Sequence, residues 1–262
     1  MFYIVLRVLL GAMVTLSLCA SAQAFEVNSY VSGSETLYLK WGDNHAGSPG
    51  GVVAWSIIPA GTPGSAYCGN ACNAGNSLDA IAVEISPGGG FAPRTLESLR
   101  PQIRAMLSHW ANYSGIRFVE LGVDSGVAIN DVTAVPPATG QIRIGVFAFS
   151  DNSVAAVGYS PPPNGGTGAG DILLNANAFY QNYPLAEGAS FDTTFAPNDL
   201  QGLLLHEMGH ALGLQHPAAN DGTCPIMFPF APCDDIIRRQ LRADDIAGMH
   251  FLYGGIFTDG FD

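Results

Sequence analysis

The sequence predicts an α+β domain, and three observations indicate that class. Apolar runs typical of buried strands recur in the first 150 residues, at 52–58, 116–121 and 141–149. A helical pattern after Pro101 separates the first two runs. Helical patterns dominate the C-terminal part, around 206–216 and at 241–254. This order favours an α+β or mixed layout over a barrel or a sandwich.

Each element has a local reason. VVAWSII, residues 52–58, is a buried-strand candidate that ends at Pro59. The helix after Pro101 has one apolar face, formed by Ile103, Met106, Leu107 and Trp110, and Gly115 ends it. IRFVEL and QIRIGVFAF read as strands, and DILLNANAF, which begins at Asp171, is a further candidate after the loop 160–170. The stretch Pro197-Asn198-Asp199 offers capping groups for the helix that follows it.

Residues 1–24 are typical of a secretory signal peptide, with cleavage expected after Ala24. The uncharged, mainly apolar core at 8–20 is shorter than the roughly 20 residues of a membrane span, which disfavours a membrane anchor. Lipid attachment at Cys19 is disfavoured because Leu18 precedes it. We therefore expect a secreted protein, extracellular or periplasmic.

The remaining chain is long enough for one domain, expected at 25–254, with an N-terminal extension at 25–38 and a short tail at 255–262. Signal removal takes Arg7 and no acidic residue, so the formal charge changes from −12 to −13. Such an acidic surface disfavours nucleic-acid and membrane-surface roles. It suits a soluble exported monomer.

Four cysteines remain after cleavage, and in an exported chain they predict two disulfides. Three pairings are possible, and the local one, Cys68 with Cys72 and Cys224 with Cys233, is the simplest. Spacing alone does not decide between them. A four-cysteine zinc site is the less favoured alternative, since it needs tighter paired spacing.

The segment HEMGHALGLQH, residues 206–216, predicts a catalytic zinc site. On a helix, His206 and His210 lie about 40° apart and roughly 6 Å along the axis, so both can reach one ion. Glu207 lies on the same side, where it can accept a proton from a water at the metal. Gly213 can turn the chain so that His216 supplies a third ligand. The alternative is a core helix with surface histidines.

This segment resembles the zinc-binding signature of the metzincin metallopeptidases, H-E-x-x-H-x-x-G-x-x-H, which a methionine turn follows. CPIMFPF supplies Met227, which the resemblance implies is a packing floor beneath the metal. Pro229 and the ending LRADDIAGMHFLYG resemble the matrixin branch in particular. The resemblance implies a zincin-like domain. By that resemblance, the domain would have a twisted mixed sheet with an antiparallel edge strand, an active-site helix and a C-terminal helix.

The resemblance also implies roles for other segments. DILLNANAF would be the antiparallel edge strand that borders the cleft, with an ordinary internal strand as the alternative. The loop 228–239 would wall a substrate pocket, braced by the Cys224–Cys233 bridge. A calcium ion is an additional possibility, bound through Asp151, Asp171 or the loop between them. A second zinc is not expected, because no histidine occurs at 110–205.

The sequence therefore predicts a secreted zinc endopeptidase that cleaves proteins or peptides. His206, His210 and His216 would hold the zinc, and Glu207 would act as general base and then as general acid. A non-catalytic secreted zinc-containing binding protein of the same fold is the main alternative. A zinc hydrolase of non-peptide amides is another.

Overall fold

The computed structural model describes residues 25–72, 75–130, 141–163, 167–191, 193–196 and 198–255. The predicted signal peptide, residues 256–262 of the tail and Pro197 lie outside the described residues. None of the helices in the described ranges is both long enough and apolar enough to cross a bilayer.

The described helices and strands follow one another as a mixed α and β chain. In chain order they are β1 (Glu26–Val27), β2 (Ser29–Ser32), β3 (Glu35–Tyr38), β4 (Val52–Ile57), a 3-10 segment (Ala66–Ala71), β5 (Ala80–Glu84), β6 (Phe91–Thr95), α1 (Leu96–Ser114), β7 (Arg117–Glu120), β8 (Ile142–Phe147), β9 (Ala156–Gly158), β10 (Ile172–Asn175), β11 (Phe179–Gln181), β12 (Asn198–Asp199), α2 (Leu200–Ala211), β13 (Leu214–Gln215) and α3 (Ala243–Tyr253).

A five-stranded mixed sheet lies at the centre, in the order β7-β4-β8-β10-β9. The first four strands are parallel, and β9 runs antiparallel to β10 at one edge. A four-stranded sheet, β12-β11-β5-β6, and two small two-stranded sheets complete the pairing among the described residues. The predicted α+β class and the mixed sheet are confirmed.

The prediction that DILLNANAF forms the edge strand is wrong. Its first part is β10, an internal strand whose four residues are all buried, and its end begins β11 in the other sheet. The edge strand is β9, Ala156–Gly158. A strand covered on both faces reads as a continuous apolar run, as Ile172 to Leu174 do, whereas a short edge strand carries little sequence signal.

Helix α1 begins before Pro101, at Leu96. Thr95 caps it, because its hydroxyl accepts a hydrogen bond from the Ser98 N–H at 3.2 Å. Gly115 ends the helix in the left-handed conformation, at φ 63°, as the sequence predicts. The predicted apolar face of α1 is buried in the main core.

Two indole N–H groups fix the helix that carries the histidine motif. The Trp110 indole in α1 donates to the Leu205 carbonyl at 3.1 Å, and the Trp41 indole donates to the Ala211 carbonyl at 2.9 Å. The Tyr253 hydroxyl in α3 donates to the Leu212 carbonyl at 2.7 Å. Buried groups from three distant parts of the chain therefore hold α2 and its C-terminal end.

A second apolar cluster includes Ile58, Phe147 and Leu173, and the 3-10 segment packs against it. The structure pairs Cys68 with Cys72 and Cys224 with Cys233, the local pairing, with Cα atoms 5.6 and 5.4 Å apart. The first bridge lies within this second cluster.

Candidate metal centre and cleft

Helix α2 presents its functional side chains because both of its ends are fixed. The Asp199 carboxylate caps the helix by accepting from the Gly202 N–H at 2.9 Å, and the Arg239 guanidinium also binds this carboxylate. At the other end Gly213 has φ +106°, and a Cβ there would lie 2.5 Å from the Leu39 carbonyl oxygen. Only glycine fits this turn. The turn leads through β13 to His216.

The three predicted histidines converge at one point. The Nε2 atom of His216 lies 2.9 Å from that of His206 and 3.0 Å from that of His210. Among the described residues, these three form the group whose potential ligand atoms lie close enough to share a metal ion.

Backbone carbonyls assign the proton positions of two of these rings. The Nδ1 of His206 lies 2.7 Å from the Ile226 oxygen, and the Nδ1 of His210 lies 2.8 Å from the Leu214 oxygen. A carbonyl only accepts, so each Nδ1 carries the hydrogen and each Nε2 presents a lone pair. These two lone pairs point at the His216 Nε2, so a His216 ring with its hydrogen on Nδ1 would complete a three-nitrogen cation site. Three neutral imidazoles are a ligand set that zinc prefers, and carbonyls behind the rings orient them, so the residues fit zinc.

Burial keeps these imidazoles in the metal-binding state. It lowers the pKa of His206 well below its usual value and the pKa of His210 to about 4, and it also lowers the pKa of His216. Desolvation disfavours the charged imidazolium. The rings therefore stay neutral below the ordinary titration range of histidine.

Glu207 is buried beside the histidines, with 5% of its surface exposed. Burial raises the pKa of its carboxyl to about 8, and a hydrogen bond from the Gly158 backbone opposes this increase. Gly158 belongs to β9, where a Cβ would lie 2.4 Å from the Glu207 carbonyl oxygen and 3.0 Å from the His210 Cβ. The absence of a side chain at Gly158 therefore lets the edge strand approach α2 closely.

Met227 packs beneath α2. It is buried, and a Cβ added to Gly209 would overlap its sulfur atom. The buried Asp245 carboxylate in α3 holds this turn by accepting from the Ile226 N–H at 2.9 Å and the Met227 N–H at 3.1 Å. Sequence reasoning missed Asp245, because an acidic residue in the first turn of a helix looks like an ordinary cap.

A cleft of about 780 Å³ runs over the histidines and Glu207, between β9 and the loop 228–239. The loop contributes Phe230, Ile236 and Arg238 to its wall. The Arg238 Nη1 donates to the Phe228 carbonyl at 2.5 Å, and the Cys224–Cys233 bridge joins the loop to the preceding turn. The predicted wall therefore lines the same cleft as the predicted site residues.

The two candidate calcium ligands lie in different surroundings. The partly exposed Asp151 accepts hydrogen bonds from the Ser153 N–H and hydroxyl, at 2.9 and 2.6 Å. Asp171 is fully buried and accepts from the Arg143 N–H at 3.1 Å, and burial raises its pKa well above the usual range. Neither carboxylate belongs to a cluster of three potential ligands among the described residues. Calcium binding stays a prediction.

Comparison with known proteins identifies the family. The Matrixin family model matches residues 93–254, more than half of the chain. Human matrix metalloproteinase-15 is 35% identical over 96 residues, which cover 33% of this chain and 14% of that protein. Karilysin from Tannerella forsythia is 25% identical over 156 residues, 60% of this chain and 29% of karilysin. The Arabidopsis thaliana metalloendoproteinase 5-MMP is 44% identical over 57 residues, 22% of this chain and 15% of that protein.

The matched part of this chain spans less than a third of the length of each of these relatives. The match to the family model includes α1, the histidine motif, the methionine turn and α3. The chain belongs to the matrixin family.

Proposed function

We propose that this protein is a secreted zinc-dependent endopeptidase. The observation that carries the proposal is the convergence of the Nε2 atoms of three histidines, two of them in the metal-binding tautomer, beside a buried glutamate in an open cleft. Membership of a family whose named relatives include metalloproteinases supports the same activity. An acidic chain with two disulfides is consistent with secretion.

His206, His210 and His216 would hold the zinc ion. When bound, zinc supplies Lewis-acid chemistry, which lowers the pKa of water to about 7 and polarises a carbonyl. The carbonyl oxygens of Ile226 and Leu214 keep two of the rings in the required tautomer.

Glu207 would move the proton. Its carboxylate would accept a proton from the attacking water and deliver it to the leaving amine, as general base and then general acid. Its surroundings are suited to this task, since burial raises its basicity and the backbone of Gly158 orients it. A binding site alone has no need of a base here, so the binding-protein alternative is not favoured.

Strand β9 would hold the substrate. Its backbone groups at Ala156 and the carbonyl of Gly158 alternate with the groups that bond to β10, so they point to the free edge of the sheet. An extended peptide could pair with this edge through backbone hydrogen bonds. A side chain on the α2 side would then enter the cleft between Leu203 and Phe230.

The test is hydrolysis of quenched fluorescent casein by the purified protein, with Glu207→Ala as the matched control. Zinc content is recorded for both proteins. We expect both to hold about one zinc and only the wild type to cleave, because Glu207 moves protons without binding metal. Equal turnover by the two proteins would remove Glu207 from the mechanism. Cleavage of small amides and not of casein would favour a different hydrolase.

Export is a separate part of the proposal. The intact mass and N-terminal sequence of protein recovered outside the cytoplasm should correspond to a chain that begins at Phe25. Recovery of the uncleaved chain in the cytoplasm alone would contradict secretion.

A further inference from the structure

One arginine in the wall of the histidine cleft has no carboxylate partner. Arg238 lines the cleft and is partly buried there. None of the carboxylates in the described ranges forms an ion pair with it. Five other arginines do form such pairs, namely Arg100, Arg104, Arg143, Arg239 and Arg242. A charge that is partly withdrawn from water is costly without a partner, so Arg238 is suited to a partner from outside the chain.

The protein uses one part of this guanidinium and leaves the other part free. The Arg238 Nη1 donates to the carbonyls of Pro225 and Phe228, at 2.7 and 2.5 Å, which fixes the plane of the group. Nε and Nη2 have no hydrogen-bond partner among the described residues, and neither atom is buried. Their N–H groups form an edge that can bind a carboxylate through two parallel hydrogen bonds. Arg238 therefore holds a carboxylate-binding edge in a fixed orientation.

Arg238 lies beside the part of α2 that precedes the histidines. A Cβ on Gly202 would lie 2.6 Å from the Arg238 carbonyl oxygen. Gly202 is four residues before His206, which corresponds to about 6 Å along the helix axis. A substrate side chain that enters the cleft beside His206 must therefore be long to reach the guanidinium. Glutamate suits this distance better than aspartate.

The other charged groups of the cleft do not neutralise Arg238. The Asp199 carboxylate is paired with Arg239 and caps α2. Asp234 is exposed at the rim, and Glu207 lies beside the histidines. Burial lowers the pKa of Arg238, and the negative charges of more distant carboxylates oppose this effect. Within the described residues, Arg238 is the one arginine or lysine that lines the cleft.

We propose that Arg238 makes the cleft selective for an acidic residue, whose glutamate side chain binds the free Nε and Nη2 edge. This residue adjoins the scissile bond, and its side chain points to α2. The inference rests on the proposed function, because it needs a peptide paired with β9 over the histidines. It adds a substrate class, since the apolar walls at Leu203 and Phe230 alone would favour an apolar side chain. A leucine in this place would cover the charge without pairing it.

The test compares quenched peptides that carry glutamate or glutamine at each position from three before to three after the scissile bond. The two side chains have nearly the same shape, so the ratio of their kcat/KM values measures the effect of the charge. At one position that adjoins the scissile bond, we expect a ratio of at least about tenfold in favour of glutamate. At the other positions the ratio should stay within about threefold. Cleavage with a ratio near one at every position would overturn this proposal and leave the proposed function intact.

Arg238→Gln should lower the ratio at the selective position to below about twofold, because the amide carries no charge. Arg104→Gln is the matched control. It removes the same charge from an exposed position on α1 and should keep the wild-type ratio. A wild-type ratio in Arg238→Gln, or an equal loss in Arg104→Gln, would overturn the proposal.

A second variant covers the case in which Arg238→Gln does not fold, since the Arg238 Nη1 also holds the turn at Phe228. Arg238→Lys keeps the charge but not the edge that forms two parallel hydrogen bonds. Its ratio should fall to about threefold. A ratio that stays at the wild-type value in Arg238→Lys would contradict the two-bond geometry and overturn the proposal.

A binding measurement separates this proposal from the proposed function. Fluorescence anisotropy with Glu207→Gln measures the Kd of the glutamate and glutamine peptides without turnover. If the wild type cleaves nothing but Glu207→Gln still binds the glutamate peptide about tenfold more tightly, the endopeptidase proposal fails and the role of Arg238 stands. Equal Kd values, or no binding of either peptide, would overturn the role of Arg238.

Discussion

Replacement of Asp245 by alanine tests how the methionine turn is held beneath the zinc ligands. The carboxylate accepts three backbone N–H groups, from Ile226, Met227 and Arg242, at 2.9, 3.1 and 2.8 Å. Asp245 is 1% exposed, so little water can replace the lost acceptor. Each buried donor left without a partner costs about 1–3 kcal/mol. We expect Asp245→Ala to lower the free energy of unfolding by about 3–5 kcal/mol.

The assay is urea unfolding of metal-free protein, because bound zinc would add its own binding free energy to the native state. Asp234→Ala is the control. Asp234 is exposed at the rim of the cleft, and its removal should change the unfolding free energy by less than about 0.5 kcal/mol. A loss of under about 1 kcal/mol in Asp245→Ala would refute the reasoning, since two buried donors and one partly buried donor left without an acceptor cannot cost so little.

Three further predictions follow from the site. Gly158→Ala should lower kcat/KM on a quenched peptide by about 100-fold, because the new Cβ would overlap the Glu207 backbone and displace the edge strand. An unchanged kcat/KM in this variant would contradict the prediction. The double variant Cys224→Ser/Cys233→Ser should lower the unfolding free energy by about 2–4 kcal/mol and raise KM, because the cleft loop loses its disulfide. An unchanged KM and urea midpoint would show that the disulfide does not hold this loop. Metal-free protein should lose stability as pH falls from about 6.5 to about 4, because His210 takes up a proton when unfolded but not when folded. The slope of the unfolding free energy against pH reports how many protons are taken up on unfolding. In His210→Asn this slope should correspond to about one proton fewer, and an unchanged slope would show that His210 does not contribute.

The candidate site was predictable because its determinants are local. Helix periodicity alone places His206 and His210 on one side of α2. A glycine at position 213 supplies the turn that brings His216 to the same point, where a Cβ would meet the Leu39 carbonyl oxygen. The positions of Glu207 and these histidines in one cleft follow from eleven consecutive residues.

The edge strand was not predictable from the same kind of evidence. Whether a strand is internal or at an edge depends on which strands pair beside it, and β10 and β9 differ in neighbours more than in composition. The sequence pattern of β10 indicates burial, but burial is what excludes it from the edge.

Long-range polar partners were also missed. Asp245 lies 19 residues after Ile226, whose N–H it accepts. The Arg143 guanidinium binds the Asp124 carboxylate, 19 residues earlier, and lies beside Asp171, so a residue predicted as a calcium ligand is part of a buried charge cluster. Such pairings depend on tertiary packing, and no local spacing indicates them.

Zinc titration of metal-free protein, followed by casein hydrolysis, tests the central claim most directly. If His206, His210 and His216 form one catalytic site, activity should rise linearly and stop rising at one zinc per chain. His216→Ala, which keeps the two helical ligands, should bind zinc at least about tenfold more weakly. Full activity without metal, or an unchanged zinc affinity in His216→Ala, would contradict the three-histidine centre.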